Sequence, residues 1–157
     1  MRRSDREIKE YNEIIGVIEK CDVCRLALNN NGYPYIIPLN FGFKEENGKA
    51  QLYFHCANEG TKLELIKKDN RASFEMDCRH RLVADYEEQM CTMEYESVIG
   101  HGRIEILPEE EKTAALQILM SHYHHDKFPI NENVIPMTTV FRLSVDSMTG
   151  KRRIKRR

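Results

Sequence analysis

The sequence predicts a mainly β, α+β fold: six antiparallel strands forming a small barrel, with short flanking helices. Three observations carry this reading. Short runs rich in aromatic and β-branched residues recur along the chain. Asn- and Gly-containing turns separate several of them, at Asn29-Asn30-Asn31-Gly32 and Glu45-Glu46-Asn47-Gly48. Only three stretches carry helical periodicity, and antiparallel strands with so few helices favour a barrel over a layered α/β sheet.

Taken in order, Asp5 to Ile18 reads as a helix, because Ile8, Tyr11, Ile14, Ile15 and Ile18 recur at three- and four-residue steps. Cys21 to Leu28 reads as a strand. Tyr33 to Phe43 reads as a second, interrupted by Pro38, which removes a ladder donor and marks an edge, a bulge or a ligand contact. Gln51 to Cys56 is a third. From Gly60 the pattern turns helical through Leu63, Leu65 and Ile66, ending near Asp69-Asn70. Ala72 to Cys78 and Cys91 to Leu107 read as strands around a less defined stretch, Arg79 to Gln89. Pro108-Glu109-Glu110-Glu111 opens a helix well, with proline early and acids in the first turn, and it runs to about His122. A last strand spans Thr138 to Val145.

The 157 residues make one ordinary domain, residues 1–157, large enough to bury a core without disulfides or metal. With 41% hydrophobic and 31% charged residues, the composition is globular and excludes an intrinsically disordered chain. No apolar run reaches the roughly 20 residues of a membrane helix, and no apolar segment follows the basic start, so the expectation is cytoplasmic. Five cysteines, an odd number, suit reduced thiols. The net charge of -1 hides an asymmetry: residues 151–157 hold six of the 24 basic side chains, leaving 18 basic against 25 acidic residues before them. This basic tail reads either as a solvated end or as a contact for nucleic acid or phosphate.

Two motifs, Tyr33-Pro-Tyr-Ile-Ile-Pro-Leu-Asn-Phe-Gly42 and Tyr53-Phe-His-Cys-Ala-Asn-Glu-Gly-Thr-Lys62, give the chain a family likeness. They resemble the pyridoxamine 5′-phosphate oxidase-like FMN-binding split barrels, specifically the 5-nitroimidazole resistance branch. The likeness extends through Arg3-x-x-Arg6-Glu7-Ile8, Ser97-Val-Ile-Gly-His-Gly-Arg103, Glu111-Lys112, Thr138-Thr139-Val140 and Gly150-Lys151. The resemblance implies a six-stranded split barrel working as a homodimer, with FMN at the subunit interface. It implies a flavin ring against the backbone of Ile37, Pro38, Leu39 and Asn40, and phosphate at Gly60, Thr61 and Lys62. His55 is implied near the ring as the candidate catalytic residue, and Ser97 as a cofactor contact from the partner subunit. The chain lacks the tryptophan of the C-terminal region by which the name-giving oxidase binds flavin and pyridoxal phosphate, so vitamin B6 synthesis is not expected.

Each of these residues also has a plainer reading. Lys62 could be a solvated lysine, although a helix start with Thr61 and Lys62 suits an anion. His55 could be a core histidine, although its ordinary pKa suits proton delivery. Pro38 and Asn40 could mark only a bulge. Cys21-x-x-Cys24 lacks a second ligand pair, and a strand would put the two thiols on opposite faces, so no metal site is expected. His122-Tyr123-His124-His125 could ligate haem iron, a minor alternative to FMN, or simply end a helix. The resemblance thus implies an FMN-dependent reductase of a small electron-poor substrate, possible nitroimidazoles included. The alternative is a flavin or haem carrier or sensor with little turnover.

Overall fold

The computed structural model describes residues 3–124, 126 and 128–154. Its strands are β1 (Glu7–Ile8), β2 (Cys24–Leu28), β3 (Tyr35–Leu39), β4 (Gly42–Glu46), β5 (Lys49–Ala57), β6 (Arg71–Asp85), β7 (Met90–Ile106) and β8 (Thr138–Arg153). Its helices are α1 (Tyr11–Ile18), α2 (Thr61–Lys68) and α3 (Glu109–Tyr123), with short 3₁₀ segments at Ser4–Arg6 and Glu132–Met137. All strand pairings are antiparallel, in the order β3-β2-β6-β7-β8-β5-β4, with β1 added to the far end of β8. The mainly antiparallel β architecture follows the sequence reading, with eight strands in place of six.

The two extra strands have local causes. The predicted strand Tyr33–Phe43 divides after Leu39. There the Asn40 side-chain amide donates to the Asp22 carbonyl (3.2 Å), and the Phe41 N–H donates to the Tyr123 hydroxyl (3.0 Å). These anchors replace ladder bonds and redirect the chain into β4, which pairs with β5 instead of β2. The predicted helix Asp5–Ile18 begins only at Tyr11, because Glu7 and Ile8 pair with Lys151 and Gly150. Gly150 makes this possible: a Cβ there would stand 3.0 Å from the Ile8 Cβ, so only glycine lets Ile8 bury itself against β8.

Two strands are longer than their patterns suggest. Arg79 to Gln89 continues the β6–β7 hairpin across a bulge between Cys78 and Arg81, where Arg79 takes φ 58°. The last strand runs on from Val145 to Arg153, because β7 offers it a partner as far as Tyr95. Lys151, Arg152 and Arg153 are therefore strand residues and no part of a solvated tail; residues 155–157 lie outside the described residues.

Inward residues of all eight strands meet in the barrel core, Ile8 of β1 among them. Phe54 and Phe141 stack there with centroids 5.2 Å apart, beside Leu26, Leu52, Phe74 and Leu143, each almost fully buried. On the opposite face of β5 and β8, α3 covers Tyr53 and Val140 with Ala115 and Leu116. Gly42 sets that approach. A Cβ at this position would meet the Leu119 backbone at 2.5 Å.

Candidate functional site

The structure brings His55, Cys56, Thr61 and Lys62 to one end of β5. His55 pairs with Val140 in register, and its side chain lies on the outer face, exposed beyond the patch that α3 covers. Cys56, one residue on, turns inward against the barrel core. The chain then passes through Gly60, whose φ of 128° is a conformation that L side chains rarely adopt, and enters α2 at Thr61. The Leu63 and Glu64 N–H groups donate to the Gly60 carbonyl (3.0 and 3.4 Å), and no side chain caps the helix, which leaves the Thr61 and Lys62 N–H groups for a ligand.

Lys62 stands half-buried above the barrel core, its Nζ 5.9 Å from the Phe141 ring centroid. Among the described residues no carboxylate pairs with it. Its charge is felt by its neighbours. Burial first, and Lys62 second, hold the His55 imidazole below its ordinary pKa, so the ring is neutral at pH 7. Burial raises the Cys56 thiol while Lys62 partly offsets it. An uncompensated cation, a free helix start and a neutral imidazole thus share one exposed corner. The arrangement suits an anion.

Ile37, Pro38, Leu39 and Asn40 form the second group. Ile37 and Leu39 point inward against the same core as Phe54 and Cys56, whereas Pro38 sits opposite Arg25 on the outer face. β3 ends the sheet order and pairs only with β2, so its outer edge carries backbone groups with no strand beside them among the described residues. The proline therefore sits on an edge strand, as its chemistry requires.

Ser97 lies elsewhere. On β7 it faces Asp77 and Lys151, and the partner strand β8 runs from Val140, beside His55, to Lys151, beside Ser97. At roughly 3.3 Å per residue that path is up to about 36 Å along the strand, which puts His55 and Ser97 near opposite ends of β8. Within one chain the structure does not bring Ser97 to His55 and Lys62.

The remaining sequence features resolve differently. Cys21 precedes β2 and so is not paired in the sheet as the sequence reading had it; Cys24 begins that strand, and both side chains are buried. Burial pushes the Cys24 thiol up to about 12 and the Cys21 thiol higher, which suits packing rather than thiolate chemistry. His122 packs its ring on Phe41, with Nε2 2.8 Å from the Cys21 carbonyl oxygen, and His124 lies against Phe128. His125 is outside the described residues. Among the described residues no group of three His, Cys, Asp or Glu side chains could hold a metal ion, and no helix is long and apolar enough to cross a membrane.

Sequence reading missed the polar frame around the corner. Asn58 donates to the Pro136 carbonyl (2.8 Å) and accepts from the Thr139 hydroxyl (2.8 Å), pinning the segment between β5 and α2 to the start of β8. The partners are about 80 positions apart, and only the register of β5 on β8 reveals them.

Comparison with known proteins agrees with this architecture. The family model described as pyridoxamine 5′-phosphate oxidase matches residues 10–152. A candidate 5-nitroimidazole antibiotic resistance protein from Bacteroides thetaiotaomicron superposes with a TM-score of 0.80 at 32% identity, covering 92% of this chain and 85% of that one. The Azotobacter vinelandii flavocytochrome (TM-score 0.78, 18% identity, 98% and 72% coverage) shares the fold. So does an FAD- and haem-binding protein of Mycobacterium smegmatis (0.79, 16%, 94% and 73%). No curated protein matched. With the split, edge-stranded barrel, a family match across nearly the whole chain and a relative at 32% identity, the chain belongs to the pyridoxamine 5′-phosphate oxidase-like split-barrel family, in its 5-nitroimidazole resistance branch.

Proposed function

We propose that the chain is an FMN-dependent reductase of small electron-poor molecules, acting as a homodimer. The observation that carries this reading is Lys62, a cation without a carboxylate partner among the described residues, set at an uncapped helix start beside His55. A phosphomonoester fits this donor set: free N–H groups, the Thr61 hydroxyl and one ammonium. The open edge of β3, at Ile37, Pro38, Leu39 and Asn40, offers backbone donors and acceptors for the polar rim of a flavin ring.

When bound, FMN supplies two-electron chemistry that no side chain of this protein can. The chain's own residues do the rest. Lys62 and the first turn of α2 would fix the phosphate, and β3 would orient the ring. His55 begins neutral, and a phosphate beside Lys62 cancels one of the two causes that depress its pKa. Its pKa then rises toward the ordinary value of about 6.5, from which it can pass a proton to a reduced acceptor.

The dimer reading rests on the outer face of the sheet. Ile36, Leu82, Met93 and Ile99 are exposed there, with Ser97 between the last two on β7. A second copy covering this face would bring a partner's Ser97 toward a flavin bound near the opposite end of β8 from its own subunit's Ser97.

Steady-state reduction of a nitroimidazole or quinone by the FMN-loaded protein, with NADPH or dithionite supplying the two electrons to the flavin, tests the reading. With His55→Ala the maximal rate should fall about 10²-fold while FMN affinity changes little, as for loss of a general acid. Tight flavin uptake without turnover on any such acceptor would favour a carrier or sensor.

A further inference from the structure

At the far end of β8, away from His55, the molecule carries a second concentration of positive charge. A cleft of about 320 Å³ lies between the N-terminal segment and the end of the β6–β7 hairpin. Arg3, Arg6, Arg152 and Arg153 line it, against one carboxylate, Asp5. Two of the arginines are committed. Arg3 holds Asp5 in a two-point ion pair (2.8 and 2.7 Å), and Arg152 bridges buried Glu96 and Glu13.

The other two meet no carboxylate at close range. Arg6 comes only to 4.0 Å from Asp5 and shares a hydrogen bond with the Tyr95 phenol, and Arg153 has no ion pair with any described residue. Tyr95 lies opposite Arg153 in the β7–β8 register. Burial raises its phenol, but hydrogen bonding to Arg6 and Lys151 pulls it below its ordinary pKa. The excess of guanidinium is therefore built into a folded rim: Arg152 and Arg153 are on β8, and Arg6 is fixed by the adjoining β1 pairing.

We propose that this cleft binds a pyrophosphate group carried by a small molecule, such as a nucleoside diphosphate. Several arginines around one concavity focus positive potential, and the planar guanidinium matches phosphate oxygens two at a time. With Arg3 and Arg152 already paired, Arg6 and Arg153 leave two guanidinium charges, more than a ligand with a single carboxylate would answer. The volume lies at the low end for small-molecule pockets, large enough for a diphosphate with part of a nucleoside. A nucleic-acid strand would want an extended basic track, whereas residues 1–150 carry 18 basic against 25 acidic residues. The proposal is independent of the flavin reading, because none of these residues belongs to the His55–Lys62 corner.

Calorimetric titration of the full chain with ADP, inorganic pyrophosphate and adenosine tests it. ADP and pyrophosphate should bind and adenosine should not. Arg153→Gln, which breaks no ion pair, and Arg6→Gln should each weaken ADP binding about tenfold, the value of a charge-assisted contact. Lys62→Ala should leave ADP binding unchanged, which separates this cleft from the proposed flavin site. Failure of both ADP and pyrophosphate to bind would overturn the proposal. So would ADP binding that is lost in Lys62→Ala but kept in the arginine variants. A single-stranded oligonucleotide that binds more tightly than ADP, with a steep salt dependence, would replace it with a nucleic-acid surface.

Discussion

His55 and Lys62 show how one side chain sets the chemistry of another. The depressed pKa of His55 has two causes, burial and the Lys62 charge, and only the second can be deleted cleanly. In the unliganded protein, Lys62→Ala should move the His55 titration upward, followed by its imidazole NMR resonances across pH 4 to 8. An unmoved titration would place Lys62 too far away to act on it. The sign extends to stability: a histidine with a lowered folded pKa supports the fold fully above its ordinary value and weakens it as pH falls below that value.

Glu96 works in the opposite sense. It is 2% exposed; burial alone would raise its pKa, but hydrogen bonds from Lys20 and Arg152 leave it lower than an ordinary carboxylate. Lys20 reaches it at 3.1 Å and Arg79 at 3.6 Å. Glu96→Gln should cost about 2 kcal/mol near neutral pH, since it removes the charge these cations answer. That difference should hold above the ordinary carboxylate value of about 4.3 and close as pH falls through the lower folded value, where the wild type protonates too. Urea melts at pH 7 and pH 3 read both limits, and an equal gap at the two would contradict the pairing. None of this network was visible in sequence, because Lys20, Glu96 and Arg152 are joined only through the sheet register.

At the scale of elements, local pattern revealed existence better than extent. Alternating burial in β2 and the cores of β5 and β7 follow from their side chains, and α2 and α3 begin close to where Gly60 and Pro108 put them. The errors arose where tertiary pairing outweighs local signal. Ile8 has helical spacing but is drawn into β1 by Gly150; Lys151–Arg153 are too polar to read as strand, yet β7 supplies their ladder. The site divides the same way. The Gly60–Lys62 helix start and the edge position of Pro38 were legible, whereas the Phe141 ring beneath Lys62 and the Asn58–Thr139 link were not.

Docking of α3 gives this scale its own test. Gly42 opens β4 directly under the Leu119 backbone, and nothing flexible lies there to yield. Gly42→Ala should therefore cost about 2 kcal/mol by overpacking, read as a lower urea midpoint with an unchanged m value. The contact between Tyr123 and Asp22 (2.8 Å) should loosen with it. A midpoint equal to wild type would mean that α3 stands farther from β4 than described.

The whole molecule separates two regions along one long strand. β8 begins beside His55, runs through the core at Phe141 and Leu143, and ends in the arginine-lined cleft. Family membership fixes the frame in which these ends are read, and the proposed dimer would use the exposed apolar side chains of the outer sheet face. The α2 helix start and Lys62 together form the proposed phosphate site for a flavin. Parallel fluorescence titrations of wild type and Lys62→Ala with FMN and with riboflavin test it most directly, because the two ligands differ only by the phosphate. The wild type should prefer FMN by at least about tenfold, worth about 1.4 kcal/mol, and Lys62→Ala should erase most of that preference while binding riboflavin as before. Equal affinity of the wild type for both flavins, or an FMN preference untouched by the substitution, would contradict it.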